Sequence, residues 1–192
     1  SLCLHGSLAA AKYFFSCYPE LDQGLIITKL GQQIQIQQNN GSISLVVKPQ
    51  IIAPKVFEYV EITELLKLNP DKIKYVNLAS VGSPKLLVEI NSMADLFELN
   101  PNLAAIVECG KLRDINGIYV YFNNYSEITG RNFNHLDPLL EDSATGVAAG
   151  ALCTYLQRDL EVHQGQNINN HCIIQARYSP EQILIGGQVY SA

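Results

Sequence analysis

Glu141-Asp142-Ser143-Ala144-Thr145-Gly146 sets two carboxylates and two hydroxyls directly before Val147-Ala148-Ala149-Gly150-Ala151-Leu152, a segment small and apolar on every side. A second pairing of this kind opens the chain, where His5-Gly6-Ser7 leads into Leu8-Ala9-Ala10-Ala11. The start of an α-helix carries N–H groups without an intrahelical partner and a partial positive charge. It therefore holds a carboxylate or phosphate without needing Arg or Lys. Two such starts facing each other across a cleft would hold a small carboxylic acid, with Asp142 and His5 beside it as proton-transfer groups.

Plainer readings stand beside these. Asp142 or Thr145 ahead of a helix reads as a cap, worth roughly 1 kcal/mol. His5 reads as a structural histidine, and Cys3 as a small buried apolar residue rather than a nucleophile. His135, His163 and His171 lack metal-ligand spacing, and no metal site is expected. Gly186-Gly187 is too short for a nucleotide loop and fits a bulge or bend in a strand.

The elements that must position these residues follow from periodicity. Residues 7–17 read as a helix stopped before Pro19; only Lys12 and Ser16 in its body are polar, so it belongs inside a core. From Leu25 the pattern alternates as strands do, and Asn39-Asn40-Gly41 supplies a hairpin turn before the strand from Ile43 to Val47. A short helix is expected over 62–68, with Thr63 as its cap, and Asn69-Pro70-Asp71 as a linker between domains. Beyond it come a strand over 85–90, a helix over 92–99, and a helix start at Asn100-Pro101. Ile118 to Phe122 reads as a strand, the segment from Gly146 as a helix to about Arg158, and 172–178 and 183–190 as strands. The two Gly-entered, small-residue helices form a weak internal repeat. A helix apolar all round is buried if a curved sheet wraps it.

Composition narrows the class. Over 192 residues, 47% are hydrophobic and 16% charged, which excludes a disordered chain. The net charge of −5 and the lack of a basic cluster argue against a nucleic-acid partner. No apolar run is long enough for a membrane span. Five scattered cysteines without a CxxC point to neither zinc nor a disulfide scaffold, and fit a reduced, cytoplasmic setting.

Glu141-Asp142-Ser143-Ala144-Thr145-Gly146 resembles the Glu-Asp-Pro-x-Thr-Gly-Ser motif of the phenazine-biosynthesis (PhzF-like) isomerase family. Leu2-Cys3-Leu4-His5-Gly6-Ser7-Leu8-Ala9-Ala10-Ala11 resembles its Leu-Cys-Gly-His-Ala-Thr-Leu-Ala-Ala-Ala, and Gln164-Gly165 and Gly186-Gly187 follow in order. The resemblance implies an α+β, diaminopimelate-epimerase-like fold of two domains, each a rolled sheet around a central helix. We place them at 1–70 (incomplete) and 71–192. It also implies a cofactor-independent isomerase or epimerase acting on a small carboxylic acid, with a homodimer as the family-level expectation. By motif match, His5 and Asp142 are the catalytic residues. Leu4, Gly6, Ser7, Thr145, Gly146 and Val147 line the substrate.

Three positions depart from that pattern: Leu4 replaces Gly, Ser143 replaces Pro, and Val147 replaces Ser. The family's principal acid/base glutamate lies upstream of its Cys-x-His motif, where this chain begins. The chain alone is accordingly expected to be inactive. The alternative is a non-catalytic relative that binds a small anion or a protein in the same cleft. A cysteine-based racemase using Cys3 lacks its second cysteine, since Thr145 stands there.

Overall fold

The computed structural model describes residues 4–29, 31, 33–125, 127–134, 136–137 and 141–187; of His5 and Gly187 only the backbone is described. Helix α1 spans Leu4–Cys17, so Leu4, His5, Gly6 and Ser7 form its first turn rather than preceding it. Strands β1 (Gln23–Ile27), β2 (Gln33–Asn39) and β3 (Ser42–Val47) follow as an antiparallel meander. The expected turn joins β2 to β3, with Asn40 and Gly41 both at positive φ (49° and 79°), the backbone a tight hairpin needs.

Helix α2 (Tyr59–Leu66) starts earlier than its periodicity indicates, and Thr63 does not cap it. The Thr63 hydroxyl donates to the Val60 carbonyl at 2.8 Å inside the helix, the local back-bonding open to any mid-helix threonine. A turn at Pro70–Lys72 leads into β4 (Ile73–Ser80) and β5 (Pro84–Ile90). Helix α3 (Met93–Glu98) falls within the helix expected over 92–99, with Ser92 as its cap, the hydroxyl accepting from the Asp95 amide. In α4 (Leu103–Arg113) the cap is Asn102 rather than Asn100, its side chain accepting from the Ala105 amide at 3.2 Å.

Strands β6 (Ile118–Asn123) and β7 (Ile128–Phe133), the two-residue β8 (Glu141–Asp142), helix α5 (Gly146–Leu156), and strands β9 (Leu160–Gln164), β10 (Cys172–Tyr178) and β11 (Ile183–Gly187) complete the chain. The strand expected over 183–190 is borne out to 187; residues 188–190 lie outside the described residues. No bulge interrupts β11 at Gly186, because its register with β3 runs unbroken. A side chain there would strike the Ile43 carbonyl on β3, so the glycine serves a close strand approach.

All strands join in one sheet of order β1-β2-β3-β11-β10-β9-β7-β6-β5-β4, with β8 added to β7. Helices α1 and α5 share one apolar core with β1–β3 and β9–β11. A second core packs α2, α3 and α4 on the opposite face of β4–β7. Strands β5–β7 are therefore covered on both sides, which is why β5 and β7 are buried almost throughout rather than in alternation, whereas β4 is the edge strand and stays partly exposed. The side chains of β5–β8 divide between the faces with period 2. Leu87 and Tyr119 belong to the core around α5, while Leu86, Val88, Ile118 and Phe133 belong to the other.

The buried-helix expectation holds for α5, where every residue from Gly146 to Cys153 is buried. It fails for α1, which packs one face on the core through Leu4, Ala11 and Phe15 and leaves Ala9, Ala10 and Tyr13 exposed. The small residues of α5 let the sheet close in. A Cβ at Gly150 would collide with Ile185 of β11 and stand 2.8 Å from Val81.

Candidate active site

Glu141 and Asp142 are consecutive on β8, so their side chains leave opposite faces of the sheet. Glu141 turns toward α3 and α4, where Arg131 clasps it in two parallel bonds: Nε to Oε1 at 2.9 Å and Nη2 to Oε2 at 2.7 Å. The remaining guanidinium nitrogen donates to the carbonyls of Leu96 and Leu99 at 2.9 and 2.7 Å. Both partners are over nine-tenths buried, and the fork pins β8 to β7.

Asp142 emerges on the α5 face into a ring of donors. Asn132 Nδ2 donates to Oδ2 at 2.5 Å, Asn134 Nδ2 to Oδ1 at 3.1 Å, and the Thr145 hydroxyl to Oδ2 at 3.3 Å. The hydroxyl's direction is fixed from behind. Gln164 Nε2 donates to Thr145 Oγ1 at 3.1 Å, leaving the hydroxyl proton for the carboxylate. The same Gln164 nitrogen donates to the Asp142 carbonyl at 2.7 Å. Gln164 is fully buried, and its Oε1 has no partner among the described residues.

The capping reading of Asp142 is overturned by this arrangement. Thr145 occupies the N-cap position of α5, no side chain caps the helix, and Asp142 is spent on β7 and Thr145 instead. Thr145 contributes its carbonyl, which accepts from the amides of Ala148 and Ala149, both at 3.0 Å. The amides of Gly146 and Val147 are the first-turn groups that a helix leaves without an intrahelical acceptor.

The two helix starts do come together. A Cβ at Gly146 would stand 2.9 Å from Leu4 Cδ1 and 3.3 Å from Leu4 Cβ, so the first residues of α1 and α5 touch. Leu4 and Val147 are both buried in the core shared by those helices, and Ser7 is buried as well, whereas Gly6 is exposed. His5 lies in the first turn of α1; its side chain, like Cys3 and His135, lies outside the described residues. Cys153 is buried in α5, and burial pushes its thiol up to about 12, unsuited to nucleophilic work.

Sequence reasoning missed Asn132, Asn134 and a lysine behind them. Lys85 on β5 is fully buried, its Nζ donating to Asn132 Oδ1 at 2.8 Å and to the Asn116 carbonyl. Loss of solvent lowers its pKa to about 7, and the Asp142 charge opposes that shift. His163 and His171 are stacked on the β9–β10 surface with Nδ1 and Nε2 3.0 Å apart. Among the described residues no group of three or more His, Cys, Asp and Glu side chains is arranged to hold a metal ion. No helix among them is long and apolar enough to cross a membrane.

Residues 1–187 match the family described as phenazine biosynthesis-like protein (PhzC-PhzF). The chain belongs to this family. An uncharacterized isomerase of Salmonella typhimurium, YddE, is 25% identical to it over 179 residues, covering 81% of this chain and 60% of that protein. A second uncharacterized isomerase, from Clostridium acetobutylicum, is 27% identical over 169 residues, covering 81% of this chain and 56% of its own. The PhzF-like chain thus spans less than two thirds of the length of these curated relatives.

Among solved structures, a Bacillus anthracis phenazine biosynthesis protein of the PhzF family superposes with a TM-score of 0.76. It shares 21% identity, with 97% of this chain and 73% of that one covered. A predicted epimerase of Pseudomonas aeruginosa gives a TM-score of 0.70 at 18% identity, covering 96% and 70%. Together they establish the α+β fold with a large sheet that the motif resemblance implies for this PhzF-like chain.

Proposed function

We propose that this chain carries part of the proton-transfer site of a cofactor-independent isomerase or epimerase acting on a small carboxylic acid. Asp142 is the observation that carries this reading. Its carboxylate stands at the start of α5 with donors at both oxygens, beside the first turn of a second helix. The substrate's carboxylate docks on the amides of Gly146 and Val147, aided by the helix dipole. Asp142 and His5 then take a proton from the acid and return one, at another position for an isomerase or on the opposite face of the same carbon for an epimerase, leaving its composition unchanged. Gly6 and Ser7 in the first turn of α1, with Leu4 and Thr145, complete the lining. A homodimer and a cytoplasmic location belong to the same proposal.

The test follows solvent deuterium into candidate small acids, using the intact gene product in deuterated water. Exchange that Asp142→Asn abolishes, with the melting transition retained, supports the reading. No exchange into any acid by a well-folded protein refutes it. The same assay on residues 1–192 alone tests the inactivity expected of that segment.

Leu4 and Val147 favour a second reading, a non-catalytic relative that binds a small anion or a protein. Both are apolar and buried at the point where the helix starts meet, leaving fewer polar groups to handle a reacting acid. Small-acid binding without exchange, unchanged by Asp142→Asn, would select it.

A further inference from the structure

A fully buried lysine is rare unless it is paired with a carboxylate. Lys85 has no salt-bridge partner among the described residues, and its neighbours on β5, Leu86 and Leu87, show that the strand accepts apolar side chains there. A methionine would fill this position without desolvating a charge. The lysine's contacts lead one way: Nζ donates to the Asn132 carboxamide oxygen, and the Asn132 carboxamide nitrogen donates to Asp142.

We propose that Lys85 is a positioning residue for Asp142, acting through the Asn132 side chain. The inference rests on Asp142 being the proton-transfer group. An ammonium has only donors and a carboxylate only acceptors, so the carboxamide between them can stand in one orientation alone. Flipping it would set donor against donor at Lys85 and acceptor against acceptor at Asp142. The Asn116 carbonyl holds Nζ from the other side, which keeps the lysine from following a rotating carboxamide. Asp142 is thereby held in one plane without Lys85 reaching the substrate, the kind of support that proton transfer at fixed geometry needs.

The experiment uses the intact gene product with 15N-labelled asparagine and lysine, and variants Lys85→Met, Asn132→Leu and Asp142→Asn. In the wild type, the Asn132 carboxamide resonances move as Lys85 titrates, and Lys85→Met removes that movement. Asp142→Asn lowers the Lys85 midpoint, because the carboxylate's charge supports the ammonium. In the exchange assay, Lys85→Met and Asn132→Leu each reduce kcat by up to about 100-fold with KM nearly unchanged. The double variant is no worse than either single, as residues acting in series require.

Carboxamide resonances that ignore Lys85 ionisation overturn the proposal, as does a Lys85 midpoint that Asp142→Asn leaves in place. Both are read on proteins that keep Lys85, so a misfolded Lys85→Met leaves them intact. A wild type that exchanges no acid refutes the isomerase reading instead, while the resonances still decide whether the three residues are coupled.

Discussion

Glu141→Gln removes the charge that Arg131 was buried to meet. Glutamine's Oε1 can accept one of the two guanidinium bonds, but its amide nitrogen then faces a second donor. The contacts from Arg131 to Leu96 and Leu99 remain, so the arginine stays buried with its charge uncompensated. Breaking one side of a buried pair costs about 3–5 kcal/mol. At about 2–4 °C per kcal/mol for a domain of this size, the melting temperature should fall by roughly 6–20 °C. Circular dichroism melts at pH 7 measure this, and the loss should persist in high salt because the pair is shielded from solvent. Replacing both partners, Arg131→Met with Glu141→Leu, removes the buried charge but also the donor to the Leu96 and Leu99 carbonyls, so only part of the stability should return. A Glu141→Gln protein melting within about 2 °C of wild type would refute the pinning role of the fork.

Lys85 gives stability a pH dependence of defined sign. Its folded-state pKa is lowered to about 7 from 10.5, so below pH 7 both states are protonated and the burial penalty is fully present. Between pH 7 and 10 the unfolded chain holds a proton that the folded one has released. Wild type should therefore gain on Lys85→Met by up to about 1.4 kcal/mol per pH unit, read from urea melts at successive pH values. A flat or falling difference would count against a buried, depressed lysine. Gly165 has φ +87°, and a Cβ there would meet the Asn170 carbonyl and stand 2.8 Å from that of Ser143. Gly165→Ala should cost more than about 1 kcal/mol in the same melts and disturb the segment beside Asp142; an unchanged midpoint would contradict this. The Tyr119 hydroxyl is buried without a partner among the described residues, so Tyr119→Phe should be neutral or stabilise by about 1 kcal/mol; clear destabilisation would reveal a bond at that oxygen.

The turn at Asn40-Gly41 and the buried helix α5 were legible in the sequence because each rests on local chemistry: positive φ in one, an all-apolar circumference in the other. Strand β7 was not. Ile128-Thr129-Gly130-Arg131-Asn132-Phe133 carries polar residues on both faces, and period-2 reading looks for one apolar face. Those polar residues are buried because Arg131 meets Glu141 and Asn132 meets Asp142 and Lys85, partners distant in sequence. Asp142 was identified as a candidate from its motif, but its setting was misread. Preceding a helix looks the same in sequence whether the residue caps it or ends a strand. Lys85 carried no local signal, since its strand reads as apolar and nothing nearby marks its partners.

Strand β7 also acts as a ruler. On one edge it pairs with β6 along its length, while the other edge is shared: Gly130 sits opposite Gln164 on β9 and Asn132 opposite Asp142 on β8. Two residues of extended chain, about 7 Å, therefore set the spacing of Asp142 and Gln164. The segments joining β7, β8 and β9 can change length or sequence without altering that interval. A lineage can thus reshape the surroundings of the carboxylate, and with them the choice of ligand, while the spacing of the two side chains is inherited from the sheet.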